Sequence, residues 1–162
     1  MTAGVMTFLF NDSSAIPLAV ASLAVLVIIA DVIFVKVRGR GAGVTFREID
    51  NMDGKKFEEF CAERFRKLGY TTDTTPSTGD YGIDLLLKRK GITVAVQTKR
   101  YNGTVGVKAV QQAASGKAMY GADTAMVVTN STYTKAAETL AEANGVVLWG
   151  RREIAEVFGV RE

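Results

Sequence analysis

The sequence predicts an α/β domain built on a mixed β-sheet flanked by helices, in the order α-β-β-β-α-β-α-β-α, preceded by one transmembrane helix. Three observations predict it. Two β-type runs, Ile83 to Arg89 and Ile92 to Arg100, flank a short polar turn containing Gly91 and read as a hairpin. Further along, two short apolar runs, Thr124 to Thr129 and Val146 to Trp149, bracket a helical pattern, which implies a parallel, right-handed crossover. Ahead of both lies Ala15 to Val35, almost wholly apolar and carrying a single charge, Asp31.

That first segment covers about 21 residues, enough at 1.5 Å rise to span a hydrocarbon core of roughly 30 Å. No Lys or Arg precedes it, whereas Lys36, Arg38 and Arg40 follow at once. The positive-inside rule then leaves the N-terminus outside and the C-terminal domain in the cytoplasm of a single-pass cell-membrane protein. A cleaved signal peptide would want a basic start and a shorter apolar run. A helix of a soluble core would want an amphipathic period. The expected organisation is a membrane segment over 1–38, a Gly-containing polar linker over 39–51 and a folded domain over 52–162.

Composition narrows the chemistry. The 162 residues are 48% apolar and 23% charged, as in ordinary globular domains. Histidine is absent and Cys61 is the one cysteine. Histidine-based triads, His-ligated zinc and thiolate zinc clusters are therefore excluded. Any metal must be held by oxygen, which favours Mg²⁺ or Mn²⁺. The net charge is only +3, so a nucleic-acid footprint would have to be local. Lys88, Arg89 and Lys90 at the hairpin tip, Lys99, Arg100, Lys108 and Lys117 are the candidates; charge runs at turns are also ordinary solvated surface.

In chain order, Asp53 caps a helix to Leu68, stopped by Gly69, with Phe57, Phe60, Cys61, Phe65 and Leu68 as its apolar stripe. Glu58 neighbours Cys61, Ala62 and Phe65 and edges inward, whereas Glu59 faces Glu63 and Arg66. Tyr70 to Thr75 reads as a strand, and Pro76 to Gly79 as a turn. Asp80 is either a turn-forming residue or an acid standing behind the site. After the hairpin, Val107 to Tyr120 reads as a helix with Val107, Val110, Ala114 and Ala118 buried. On that reading Gln111 faces inward, either to reach the cluster or a phosphate, or as a buried amide satisfied by backbone. Thr132 is the expected cap of a helix over Tyr133 to Asn144, with Gly145 just past its end. A last helix runs from Arg151 to Phe158.

The hairpin carries the chemistry. With Lys90-Gly91 as a two-residue loop, Arg89 faces Ile92 and Asp84 faces Gln97, whose side chain shares a face with Lys99. A three-residue loop would turn Asp84 to the other face unless a bulge restored it. A solvated edge hairpin with a few charges remains the plain alternative.

Gly-Asp-Tyr-Gly-Ile-Asp at 79–84 followed by Val-Gln-Thr-Lys-Arg-Tyr at 96–101 resembles the core of the PD-(D/E)XK nuclease superfamily, closest to its Mrr-like branch, the type IV restriction endonuclease catalytic domains. The resemblance runs from about Asp53 to about Phe158 and includes Phe57-Glu58, Val110-Gln111 and Val128-Thr129 in order. It implies a restriction-endonuclease-like fold and a metal-dependent endonuclease hydrolysing DNA phosphodiester bonds; together with the N-terminal apolar run, the expected role is restriction of foreign or modified DNA at the membrane. It also implies Mg²⁺ or Mn²⁺ on Asp84, Gln97 and the backbone carbonyl of Thr98. Lys99 would position the attacking water and Glu58 would reach in from its helix. Gln111, Arg100, Lys108, Lys88 and Arg89 would contact DNA. Most of the superfamily has an acid where this chain has Gln97, which lowers the expected metal affinity; the Mrr-like branch often carries glutamine. No separate DNA-reading segment is visible, so specificity is expected to be low or to lie in a partner specificity subunit; a homodimer is the other expected assembly. The rival reading is a membrane-anchored module that docks nucleic acid or a partner without cutting.

Overall fold

The structure, a computed structural model, describes residues 43–75 and 81–162. The apolar run at 15–35 and Asp80 lie outside them. Among the described residues no helix is long and apolar enough to cross a membrane. The elements are α1 (Phe46–Asp50), α2 (Gly54–Lys67), β1 (Thr71–Thr74), β2 (Leu85–Arg89), β3 (Ile92–Lys99), α3 (Val107–Met119), β4 (Thr124–Thr129), α4 (Lys135–Asn144), β5 (Val146–Trp149) and α5 (Arg151–Phe158).

The five strands lie side by side in chain order. β1, β2 and β3 pair antiparallel, then β3, β4 and β5 parallel, giving the mixed sheet that the hairpin and the crossover imply. Alternation along β3 divides the core. Val94 and Val96 join Phe57, Phe65, Met126, Val128, Trp149 and Phe158 on the face covered by α1, α2 and α5. Ala125 and Val127 of β4 meet Val110 and Ala113 of α3 and Ala137 and Ala141 of α4 on the other face. On the first face the filling is aromatic: Phe65 meets Phe158 edge-on at 5.2 Å and stacks near Trp149 at 5.5 Å. Side chains of that size each contribute roughly 1.5–3 kcal/mol when fully buried. All six residues of β4 are buried, as expected for a central strand covered on both sides.

Local signals mark most boundaries. Asp53 caps α2 by accepting the Lys56 N–H at 2.8 Å, and Gly145 ends α4 in the left-handed conformation. The hairpin turn is a two-residue loop with positive φ at both Lys90 (51°) and Gly91 (80°), the turn whose twist matches paired strands.

Two expectations are corrected. The segment read as a polar linker over 39–51 contains α1. Thr45 and Glu48 form its capping box, Phe46 and Ile49 are buried in the core, and Phe46 N–H donates to Arg161 O at 2.8 Å. The first and last described segments are thus tied together. The cap of α4 is Thr134, which accepts from Ala137 N–H, rather than Thr132. Thr132 is instead engaged through its carbonyl, which accepts from Val105 N–H at 2.9 Å, so the helix starts two residues later.

Candidate active site

The turn fixes the register, and the register brings the site together. Arg89 pairs with Ile92, and the ladder continues to Leu85 opposite Val96. One step further it departs from simple pairing. Asp84 N–H donates to Val96 O at 2.9 Å, so two consecutive residues of one arm address Val96 of the other, the pattern of a bulge. Asp84 therefore does not stand opposite Gln97 as continuous pairing would have it. Its carboxylate takes the place of the next ladder bond: Oδ2 accepts the Thr98 N–H at 2.6 Å and the Thr98 hydroxyl at 2.9 Å. The carboxylate is thus held in the plane of the hairpin, against the strand that carries Gln97 and Lys99. N–H and C=O of one strand residue leave on the same side, so the Thr98 carbonyl also leaves β3 toward the Asp84 arm.

Gln97 and Lys99 share the face toward α3. Gln97 is 1% exposed, and its Nε2 donates to Gln112 Oε1 at 3.0 Å. Its own Oε1 is buried with no hydrogen-bond partner. Gly82 closes the other side in a left-handed conformation (φ 78°); a Cβ there would sit 2.9 Å from both Gln97 Nε2 and Gln112 Cβ. Lys99 lines a cleft of about 370 Å³ with Tyr101, Lys108 and Gln112, and its ammonium makes no hydrogen bond or ion pair among the described residues.

Glu58 is half-buried on α2 and Glu59 exposed, matching the helical spacing. Beneath lies Cys61, fully buried. Burial, then the carboxylates of Asp84 and Glu58, push its thiol well above the usual range. Both carboxylates thus act on one buried sulfur.

Other expected residues fall elsewhere. The buried stripe of α3 is Ala109, Val110, Ala113 and Gly116, not Val107, Val110, Ala114 and Ala118. Gly116 lies so close to Ile83 that a Cβ there would collide with its side chain. Small residues let the helix settle onto the sheet by this face. The rotation leaves Gln111 exposed, in the groove with Lys135 and Leu140 of α4, and turns Gln112 to Gln97. Arg100 is not a projecting cation: its guanidinium donates to the Asp50 carbonyl and, at 2.7 Å, to Asn102 Oδ1. Lys88 is paired with Asp73 at 2.9 Å, and Arg89 lies over the Tyr70 ring. Both sit at the far end of β2, Lys88 about 13 Å from Asp84 at the usual strand rise. Lys99 and Lys108 are thus the cations that share the cleft.

Sequence reading missed Gln112 and a polar knot beside the site. Asp50 accepts from Asn130 Nδ2 at 2.7 Å and from Arg151 at 3.0 Å, while Asn130 Oδ1 accepts Tyr101 N–H at 2.8 Å. The signal for Gln112 was present in the Ala109, Ala113, Gly116 spacing. For the knot there was none, since its members are 21 to 101 positions apart.

Among the described residues no three His, Cys, Asp or Glu side chains converge as a metal-binding group. A mixed oxygen set does fit a hard divalent cation: the Asp84 carboxylate, the orphaned Gln97 Oε1 and the Thr98 carbonyl on the same arm. A buried amide oxygen without a partner costs about 1–3 kcal/mol, and a cation is a partner it lacks.

Comparison with known proteins agrees with the geometry. The restriction endonuclease family represented by the Mrr catalytic domain matches residues 49–158. No curated protein matches the chain significantly. Among solved structures, the DNA modification-dependent restriction endonuclease AspBHI superposes with a TM-score of 0.55 at 21% identity, covering 70% of this chain and 33% of its own. A protein of unknown function, AF1548, superposes at 0.52 with 19% identity, covering 58% and 56% respectively. The chain thus spans a third to just over half of the lengths of these structures, and at such identities they show a shared fold alone. The family match extends over most of the chain, from the end of α1 to the end of α5: the protein belongs to the Mrr catalytic-domain family of restriction endonucleases.

Proposed function

We propose that the chain is a metal-dependent endonuclease that hydrolyses DNA phosphodiester bonds, restricting foreign or modified DNA at the cytoplasmic face of the membrane. One observation carries the reading: the Asp84 carboxylate is locked onto Thr98 beside a buried, unpartnered Gln97 Oε1, with Lys99 lining the adjoining cleft.

Asp84, Gln97 and the Thr98 carbonyl would hold Mg²⁺ or Mn²⁺. When bound, such an ion polarises the phosphoryl oxygen and acidifies water. The protein's own part is positional and electrostatic. Thr98 fixes the Asp84 carboxylate through two hydrogen bonds, so it does not swing toward solvent. Lys99 would donate to the attacking water and to the phosphoryl oxygens, where negative charge builds in the transition state. Glu58 would supply a second carboxylate from α2, and Lys108 would neutralise a neighbouring phosphate. Asp80 is proposed as an acid behind these groups.

The membrane anchor rests on the apolar run at 15–35 and the basic residues that follow it. A homodimer or a specificity partner would supply target choice.

The neutral amide at Gln97 favours one second reading, a module that binds DNA without cutting it. Incubation of the full chain with methylated and unmethylated supercoiled plasmid, with and without Mg²⁺ or Mn²⁺, separates the two. Metal-dependent nicking that disappears in Asp84→Ala supports the nuclease. A metal-insensitive mobility shift without nicking selects the binding module.

A further inference from the structure

The geometry points to Gln112 as a positioning residue that sets the orientation of the Gln97 amide, so that its oxygen and not its nitrogen is presented to a divalent cation. The inference rests on the proposed metal site and concerns how this chain makes a ligand out of an amide.

An amide offers a cation one useful end. The carbonyl oxygen carries lone pairs, whereas the NH₂ group carries only donors and repels a cation. A carboxylate at this position would be indifferent to rotation by 180° about its last torsion; glutamine is not. Something must choose between its two orientations. Two contacts bear on that choice here. Gln112 Oε1 accepts from Gln97 Nε2 at 3.0 Å, which assigns the nitrogen to the α3 side. Gly82 lies against the same nitrogen and against the Gln112 Cβ, close enough that any Cβ at 82 would press on both. Oε1 is then left buried and without a partner. In the opposite orientation the amide would face Gln112 with its oxygen, a bond Gln112 could make only by turning its own NH₂ toward it, and would present its NH₂ to the cation.

Gln112 is itself placed by packing. Ala109, Ala113 and Gly116 bring α3 onto the sheet, and Gln112 projects from the edge of that stripe toward Gln97 while lining the Lys99 cleft. Partners of this kind, one bond behind a metal ligand, typically change metal affinity by about 10- to 100-fold when removed.

The test is Mn²⁺ affinity of the full chain in the absence of DNA, read by calorimetry and by loss of the free-ion paramagnetic resonance signal. Gln112→Met removes the acceptor at similar volume and is expected to weaken binding by about tenfold or more. Gln112→Glu keeps an acceptor and has no donor, so it is expected to retain at least the original affinity. A role confined to packing would be satisfied equally by methionine and would not be rescued selectively by glutamate. Gln112→Met binding as tightly as the unsubstituted chain, with Asp84→Asn abolishing binding, overturns the inference and leaves the metal site standing. Equal loss in Gln112→Glu and Gln112→Met overturns it as well. No Mn²⁺ binding by the unsubstituted chain overturns the metal site and the inference with it.

Discussion

Asp84 Oδ2 receives both hydrogen-bond donors of Thr98, the backbone N–H at 2.6 Å and the hydroxyl at 2.9 Å. The hairpin ladder ends in a carboxylate where another backbone carbonyl would ordinarily stand. A charged acceptor shortens and strengthens such bonds, and the arrangement fixes the acid relative to the strand that bears Gln97 and Lys99.

Separating the acid from its clamp follows directly. Thr98→Val removes the hydroxyl and keeps the N–H, so it should cost about 1 kcal/mol of stability and lower cleavage modestly. Asp84→Ala should lower cleavage by about two to three orders of magnitude, and Lys99→Ala likewise, since removing one transition-state-stabilising group costs about 3–4 kcal/mol. Single-turnover nicking assays alongside urea denaturation make the distinction. Undiminished cleavage by purified Asp84→Ala would contradict the site assignment.

The contact of Gly116 with Ile83 predicts a coupled pair. Gly116→Ala should destabilise the domain by about 1–3 kcal/mol through overpacking, although alanine is the better helix former. Combining it with Ile83→Ala should recover part of that loss, because the added methyl fills space the isoleucine leaves. A double-mutant cycle by chemical denaturation checks it, and strictly additive losses would show that the two residues are not in contact.

The turn holds an unfavourable residue. Lys90 has φ 51°, a left-handed conformation that asparagine and glycine adopt far more readily. Lys90→Asn should stabilise the protein by about 0.5–1 kcal/mol, seen as a higher denaturation midpoint. Unchanged cleavage is expected with it, since the turn lies at the end of the hairpin away from Asp84. A lower midpoint would mean that the turn is not the two-residue form.

Asp50 ties α1 to the site. Its carboxylate accepts from Arg151 and Asn130, and its carbonyl from Arg100, the neighbour of Lys99. Arg151 also lies over the Phe46 ring at 3.8 Å. Asp50→Ala should cost about 1–3 kcal/mol, because Asn130 is buried and loses its acceptor. Hydrogen exchange should then quicken in α1 before the sheet. Equal quickening throughout would show that α1 is not a separable unit.

Much of this molecule is written locally. Glycine in a two-residue turn fixed the pairing of Arg89 with Ile92 and so the register of the hairpin. Alternation placed Gln97 and Lys99 together, continuous apolar runs gave the two parallel strands, and Asp53 and Gly145 bounded their helices. Each of these depends on hydrogen bonds or sterics within a few residues, which a sequence specifies by itself. What tertiary structure decided is different in kind. Whether α3 presents Gln111 or Gln112 depends on how closely Gly116 approaches Ile83, a volume shared between two elements. Whether Arg100 reaches outward depends on Asp50, brought beside it by α1. Whether Asp84 faces Gln97 or clamps Thr98 depends on a bulge that the strand ends settle between them. Periodicity names the residues available to a face; only the gap across from that face selects among them.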